Sequence, residues 1–292
     1  MKKNKLRIGL PKGSLQDSTV ALLKKAGYCI NVSSRSYFPT VDDPDWECIL
    51  LRAQEIPVYV QKGVLDCGIT GADWVLEHEA AVVMVAELMY AKQTLTPVRW
   101  VLAVPEKSSI QCAQDLQGKR VATELVQVTK RYFEKHGVRV DVEFSWGATE
   151  AKVPELVDAI VELTETGSSL RAHNLKIIDT LCRSTTQFIA YQGAWDDTWK
   201  REKMQNIAML VQGALQAEEK VGLKMNVAKD HLEKIIGILP ALRNPTVSEL
   251  SRPGWIAVEI VTDEKAVRAL IPQLKKAGAE GIIEYPLTKV IP

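Results

Sequence analysis

Between Val157 and Leu170 an apolar run bearing acids at Asp158 and Glu162 passes into Glu165-Thr166-Gly167-Ser168-Ser169-Leu170. The spacing predicts a strand over 156–163 that leads into a Thr-Gly turn and then a helix, and period-two alternation puts residues 158 and 162 on one strand face. This pattern suits a sugar phosphate. Backbone N–H groups at a helix start, with the hydroxyls of Thr166, Ser168 and Ser169, encircle a phosphate, and Gly167 lets the backbone come close. A carboxylate at the strand end accepts hydrogen bonds from ribose hydroxyls, and carboxylates beside a polyphosphate also hold Mg²⁺ through water. The same residues equally describe an ordinary strand-turn-helix corner with an N-cap serine.

Other groups are spaced for anion chemistry. Lys12-Gly13 stands where a strand ends and a helix begins, and Gly68-Ile69-Thr70-Gly71-Ala72-Asp73 forms a second turn of that kind. Lys12 can meet a phosphate there; Thr70, Gly71 and Asp73 can bind an anion or the edge of a nucleotide, with Asp73 as a plain N-cap the alternative. Arg52, after Ile49-Leu50-Leu51, suits bidentate phosphate binding or a pair with Glu55. Arg99 adds charge, Lys130-Arg131 reads as a solvated helix face, and His173 and Trp146 as packing or surface residues. No Ser-His-Asp or Cys-His arrangement is evident, the five cysteines form no C-x-x-C pair, and the four histidines are scattered.

The elements that must position these residues follow from periodicity. Strand-length apolar runs alternate with amphipathic stretches: strands at 6–10, 63–71, 100–104, 120–123 and 140–144, and helices at 15–26, closed by Gly27, and 126–136, closed by Gly137. This predicts α/β layers with mainly parallel sheets. The strand series begins afresh near Val98. The Trp-bearing stretch 185–213 reads as helical, a return crossing and connector. From Val221 the pattern is β-α-β-β-α-β, with strands at 221–227 and 255–261, helices at 230–239 and 264–277, and final strands at 281–285 and 289–291: a ferredoxin-like module. No internal repeat is visible.

In the 292-residue chain, 37 Lys and Arg against 36 Asp and Glu leave a net charge of +1, which disfavours a nucleic-acid or polybasic membrane role. No window supplies an apolar span, and Met1-Lys2-Lys3-Asn4-Lys5 is followed by no apolar leader, so a cytoplasmic location is expected.

Acid-x-x-x-T-G-x-[ST]-L after an apolar strand resembles the ribose-phosphate loop of phosphoribosyltransferases. The wider stretch from Gly147-Ala148-Thr149-Glu150-Ala151-Lys152-Val153-Pro154 to Leu175 is similar to one family, ATP phosphoribosyltransferase. Leu10 to Leu15, Asp66 to Asp73, Val121-Ala122-Thr123-Glu124, Leu239 to Thr246 and Pro253 to Val258 fit it in order. The sequence departs from the family at Ser14, where Arg is common, and at Leu125-Val126, where Tyr-Pro is; ordinary phosphoribosyltransferases also have two adjacent acids where Glu162 is followed by Leu163.

The resemblance implies two periplasmic-binding-protein-like α/β domains around a cleft, the first from 1–96 and 185–208 and the second from 97–184, plus a ferredoxin-like (ACT/PII-like) regulatory domain at 214–292. It implies transfer of the 5-phosphoribosyl group from phosphoribosyl pyrophosphate to N1 of ATP, with Mg²⁺ held mainly through substrate, histidine as inhibitor and dimer and hexamer assemblies. Asp158 and Glu162 become the catalytic candidates, with Glu155 near; Glu165, Thr166, Gly167, Ser168, Ser169 and Leu170 the phosphoribosyl pyrophosphate loop; Lys12, Gly13, Arg52, Thr70, Gly71 and Asp73 the ATP and pyrophosphate contacts. Asn226, Ser248 and Leu250 are the candidates for an effector site. The rival expectation is a cytoplasmic solute-binding-like sensor with no chemistry, which has no use for a ribose-phosphate loop.

Overall fold

The computed structural model describes residues 4–33, 35–91, 96–240 and 245–291. The chain divides into two compact units, Met1–Ala208 and Met209–Pro292. Among the described residues no helix is long and apolar enough to cross a membrane.

The first unit opens with β1 (Leu6–Lys12), in which Leu6, Ile8 and Leu10 are buried. Helix α1 (Gln16–Ala26) ends where Gly27, at φ 106°, donates its N–H to the carbonyls of Leu23 and Lys24. A two-residue ladder, β2 (Ile30–Asn31) and β3 (Thr40–Val41), precedes β4 (Trp46–Arg52). Then come α2 (Ile56–Gln61), β5 (Cys67–Gly71), α3 (Ala72–Glu77) and β6 (Val83–Leu88). The chain continues through β7 (Val98–Pro105), β8 (Arg120–Thr123), α4 (Val126–Lys135), β9 (Asp141–Phe144), β10 (Ala159–Thr164), α5 (Ser168–Ala172) and β11 (Leu175–Ser184). It returns through β12 (Thr186–Ala190) to α6 (Gln192–Asp196) and α7 (Thr198–Ala217), within which the boundary between the units falls.

Two five-stranded sheets result, in the orders β4-β1-β5-β12-β6 and β9-β8-β10-β7-β11. They are built alike. In each, the second strand of that order has two parallel neighbours, β1 with β4 and β5, and β8 with β9 and β10. An antiparallel strand follows, β12 in one sheet and β7 in the other, and carries the last strand on its far side. Each inserted strand comes from the part of the chain arriving from the other sheet. The mainly parallel sheets expected from the alternation are therefore mixed, because a strand arriving from across the molecule must run back against its neighbours. The duplication is topological and leaves no repeat in the sequence.

Two further expectations are corrected. The 185–213 stretch is not helical throughout: Thr186–Ala190 is a strand in which Phe188, Ile189 and Ala190 are buried, as a strand with neighbours on both sides requires. The strand expected over 156–163 begins at Ala159; Leu156 is 60% exposed.

Close packing holds α2 on the first sheet. A Cβ on Gly68 would lie 2.5 Å from Cγ2 of Ile56 and 3.2 Å from the Gly9 carbonyl. Overpacking of this kind costs about 1–3 kcal/mol. Gly68→Val is therefore expected to lower unfolding stability by about 3 kcal/mol, read as a lower urea midpoint with an unchanged slope.

The second unit contains β13 (Lys220–Ala228), α8 (Leu232–Ile236), β14 (Thr246–Glu249), β15 (Trp255–Asp263), α9 (Glu264–Ala277) and β16 (Glu280–Pro286). Its strands are all antiparallel in the order β14-β15-β13-β16, the ferredoxin-like arrangement. Leu223, Met225, Val227, Val258, Leu270 and Leu274 form its core. The predicted helix at 230–239 is shorter, a 3₁₀ turn followed by α8. Residues 289–291 are not a strand; Pro286, with no N–H to donate, ends the ladder. The predicted motif portion Ala241-Leu242-Arg243-Asn244 lies outside the described residues.

Candidate active site

The carboxyl ends of β1, β4 and β5 and the ends of β8 and β10 border a cleft of about 340 Å³ within the first unit. Ligands of open α/β sheets bind at such strand ends.

The first sheet supplies cations. Lys12 and Arg52 line the cleft, and Lys12 Nζ lies 3.8 Å from the centroid of the Tyr37 ring. Gly13, at φ 102°, turns the chain from β1 towards α1 beside the Arg52 guanidinium. Glu55 donates its amide to the Arg52 carbonyl in the turn that leads into α2.

Two predicted residues of this side have other work. Thr70 is fully buried, and its hydroxyl donates to the Ala53 carbonyl at 2.6 Å. Asp73 borders the cleft but is 4% exposed, and its carboxylate oxygens are engaged. Oδ2 accepts the Trp100 indole N–H at 2.7 Å, and Oδ1 accepts the Ser184 hydroxyl at 2.9 Å and the Trp74 amide at 3.1 Å. Asp73 is not the N-cap of α3; that position belongs to Gly71, where a side chain would collide with Oδ1 of Asp73. Burial raises the Asp73 pKa against these hydrogen bonds. Asp73 thus ties α3, which follows β5 of the first sheet, to β7 and β11 of the second.

The second sheet supplies carboxylates and hydroxyls. Glu124, Glu162 and Glu165 line the cleft. Beyond β10, the Thr164 hydroxyl accepts the Gly167 amide at 2.7 Å, and Gly167 takes the left-handed conformation, φ 75°. Thr166, Ser168 and Ser169 are exposed, with Thr166 and Ser168 hydroxyls 3.0 Å apart. Ser169 donates to Glu150 at 2.6 Å, while Leu170, buried in the core, anchors the turn.

Glu162 is half-buried on β10, and its Oε1 accepts the Leu163 amide at 3.0 Å. Burial pushes its carboxyl up to about 7, with the charges of Glu150 and Glu124 adding to the rise and a Thr149 hydrogen bond opposing it. Asp158 is not brought to Glu162. It precedes β10 at the end away from the loop, where it accepts the Arg120 amide at 2.9 Å, lies 3.7 Å from Lys119, and borders a separate shallow groove. Glu155 is exposed in the segment before it.

Of the remaining candidates, Arg99 lies opposite Thr164 in the β7–β10 ladder. Lys130 is exposed, while Arg131 engages Glu79 and the Leu76 carbonyl. His173 Nδ1 is 2.9 Å from the Ser169 carbonyl, and Trp146 is 92% exposed against the edge of Phe144. In the second unit, Asn226 and Ser248 both pair with Ala257, on the sheet face opposite the Met225 and Val258 core; Leu250 donates its amide to Trp255.

Sequence reasoning missed several residues. Tyr90 lines the cleft with its hydroxyl 2.7 Å from that of Thr19. Ser145 and Lys152 stand behind Thr149. Glu77, at the end of α3, accepts the amides of Gln127 and Val128 at 2.8 and 3.0 Å, capping α4, whose own N-cap residue Leu125 has no side-chain cap. Only the Gly147 to Pro154 motif hinted at any of these; the partners lie far apart in sequence.

Two five-stranded mixed sheets of one topological plan around a cation-and-carboxylate cleft, followed by a ferredoxin-like module, define a two-lobed α/β enzyme with an appended C-terminal domain. The family model described as "ATP phosphoribosyltransferase" (HisG) matches residues 52–213, and that of the "HisG, C-terminal domain" matches residues 217–289. The chain is 60% identical over 292 residues, all of both chains, to the ATP phosphoribosyltransferase of Thermodesulfovibrio yellowstonii. It is 59% identical to that of Solibacter usitatus over 98% of this chain and 99% of the relative. Among solved structures, a chain of the "ATP phosphoribosyl transferase (HisG:HisZ) complex from Thermotoga maritima" matches with a TM-score of 0.62 at 29% identity, over 72% of this chain and 98% of that one. The chain belongs to the ATP phosphoribosyltransferase family, a pentosyl-transfer enzyme of histidine biosynthesis. The sensor alternative is set aside by this membership.

Proposed function

We propose that the cleft joins ATP and phosphoribosyl pyrophosphate, giving phosphoribosyl-ATP and pyrophosphate. The observation that carries this reading is the division of chemistry across the cleft: Lys12 and Arg52 on one wall, Glu124, Glu162 and Glu165 on the other, with the exposed hydroxyls of Thr166, Ser168 and Ser169 in the turn that follows Glu165. On the second wall, the loop backbone and hydroxyls hold the 5-phosphate, and Glu162 accepts hydrogen bonds from the ribose hydroxyls. On the first wall, Lys12 and Arg52 meet triphosphate or pyrophosphate oxygens. Adenine N1 attacks C1 of the ribose in line; the N1–C1 bond forms as the C1–O bond breaks, and the electron pair leaves with pyrophosphate. No enzyme nucleophile is required, so positioning and electrostatics carry the rate.

Among the described residues no group of three or more His, Cys, Asp or Glu is placed to hold a metal ion. Mg²⁺ is proposed to arrive on the substrate's polyphosphate, where it would neutralise charge on the leaving group. No protein ligand is assigned to it.

The second unit is proposed to bind histidine and inhibit, with the Asn226 and Ser248 row as a candidate contact. By linkage, substrates then weaken histidine binding to the same degree. A homo-oligomer, dimeric or hexameric, and a cytoplasmic location complete the reading. Mixing the protein with ATP, phosphoribosyl pyrophosphate and Mg²⁺ in the presence of pyrophosphatase is expected to raise absorbance near 290 nm only when both substrates are present, and histidine is expected to suppress the rise. No rise from folded protein defeats the reaction; a rise indifferent to histidine defeats the regulatory part alone.

A further inference from the structure

Lys12 and Arg52 are register partners at the carboxyl ends of the parallel strands β1 and β4, so their side chains leave the sheet on one face, and both line the cleft. Two like charges so placed repel, and the flexible four-carbon stem of a lysine lets its ammonium swing away. Beside this ammonium stands an aromatic ring: Lys12 Nζ lies 3.8 Å from the centroid of Tyr37. Tyr37 is 55% exposed, which removes core packing as the reason for an aromatic side chain there. The ring is nevertheless anchored through its backbone. The Tyr37 carbonyl accepts the Leu50 amide of β4 at 2.7 Å, and the hydroxyl of the preceding Ser36 accepts the Phe38 amide at 3.0 Å.

We propose that Tyr37 is a positioning residue for Lys12: the face of its ring holds the ammonium beside Arg52, ready for polyphosphate oxygens. The assignment rests on the reading of Lys12 as a polyphosphate contact. The ring face is the negative part of an aromatic quadrupole, so it attracts the ammonium and offsets the repulsion from Arg52. It also confines a side chain that would otherwise lose its rotamer freedom only when the ligand arrives, and such prior ordering lowers the cost of binding. Without the ring, the ammonium is free to swing towards the carboxylates of Glu124, Glu162 and Glu165 on the opposite wall. The ring covers one side of the ammonium. Three N–H donors leave the group able to meet oxygens from the other side. The Tyr37 hydroxyl plays no part in this arrangement, so a phenyl ring suffices.

The test is a double-mutant cycle on the full chain. It is read in the dissociation constant of inorganic pyrophosphate, measured by titration calorimetry with Mg²⁺ present, and in the KM values of both substrates. Lys12→Met is expected to weaken pyrophosphate binding by about tenfold or more. Tyr37→Leu is expected to weaken it by about fourfold, the scale of an exposed cation–ring contact. Tyr37→Phe, which keeps the ring, is expected to restore the wild-type value. In the Lys12→Met background, Tyr37→Leu is expected to add nothing, because the cation it served is gone. In turnover, Tyr37→Leu is expected to raise the same KM that Lys12→Met raises, by more than it lowers kcat. Urea midpoints check that the exposed substitution leaves the fold intact. The positioning role is overturned, with Lys12 left in place, if Tyr37→Leu costs as much in both backgrounds, if Tyr37→Phe binds as weakly as Tyr37→Leu, or if Tyr37→Leu binds pyrophosphate as well as or better than wild type. Pyrophosphate binding and both KM values unmoved in Lys12→Met overturn the reading of Lys12 itself.

Discussion

Glu162→Gln is expected to lower kcat/KM for phosphoribosyl transfer by about 10²-fold and to remove the acid limb of its pH profile, measured by product absorbance between pH 5.5 and 9. The sign follows from the site. An acid raised to about 7 is largely protonated at pH 6, where one of its oxygens is no longer a free acceptor for a ribose hydroxyl. Activity therefore rises as pH climbs through about 7. Stability runs the other way. The folded-state pKa lies above the ordinary 4.5, so the folded protein binds this proton more tightly than the unfolded chain. The contribution is fully present below about 4.5 and is lost as pH rises through about 7. Glutamine carries no charge to desolvate, so the variant should be no less stable than wild type at pH 8, measured by urea unfolding, while nearly inactive. A variant that loses activity and stability together at pH 8 contradicts this account.

Asp73→Ala is expected to lower stability by about 3 kcal/mol or more without touching a substrate group directly. The substitution leaves the Trp100 indole N–H and the Ser184 hydroxyl without their buried acceptors. It also opens a void beside the edge-on Trp74 and Trp100 pair, whose centroids are 5.9 Å apart. Because Trp74 and Trp100 belong to the core of the second sheet while α3 follows β5 of the first, the damage reaches both. Equilibrium unfolding in urea measures it. A loss below about 1 kcal/mol would mean that water replaces the carboxylate. Asp73→Asn, which keeps one acceptor oxygen, should fall between.

What the sequence disclosed depended on how local the controlling interactions were. Helix α9 spans the expected 264–277 because an amphipathic run meets Gly278, whose φ of 100° only glycine adopts cheaply. The strand at 120–123 and the strand order of the second unit follow from equally local signals. Strand β12 was hidden because a short strand buried on both faces has no alternation to betray it, and the polar helices after it dominate the window. Leu156 misled for the opposite reason: it is apolar and extends the run, yet it is exposed, so the strand start was placed three residues early. The Thr166-Gly167-Ser168-Ser169 loop was legible as a motif. The fate of Thr70, whose hydroxyl turns to a carbonyl 17 residues away, was not. The contact of Lys12 with Tyr37 and the cap from Glu77 are also matters of tertiary placement, to which no periodicity points.

The cap that Glu77 provides also sets a boundary on motion. The first turn of α4 is closed by a carboxylate borne on α3, next to the first sheet, and Arg131 of α4 reaches back to the Leu76 carbonyl on the same helix. Any hinging that widens the cleft by drawing α3 from α4 must expose the amides of Gln127 and Val128 to solvent, while motion that pivots about this contact leaves them covered. Those two amides are thus a gauge built into the chain: their hydrogen-exchange rates, set against those of the α4 interior, distinguish an enzyme that opens by separation from one that opens by rotation.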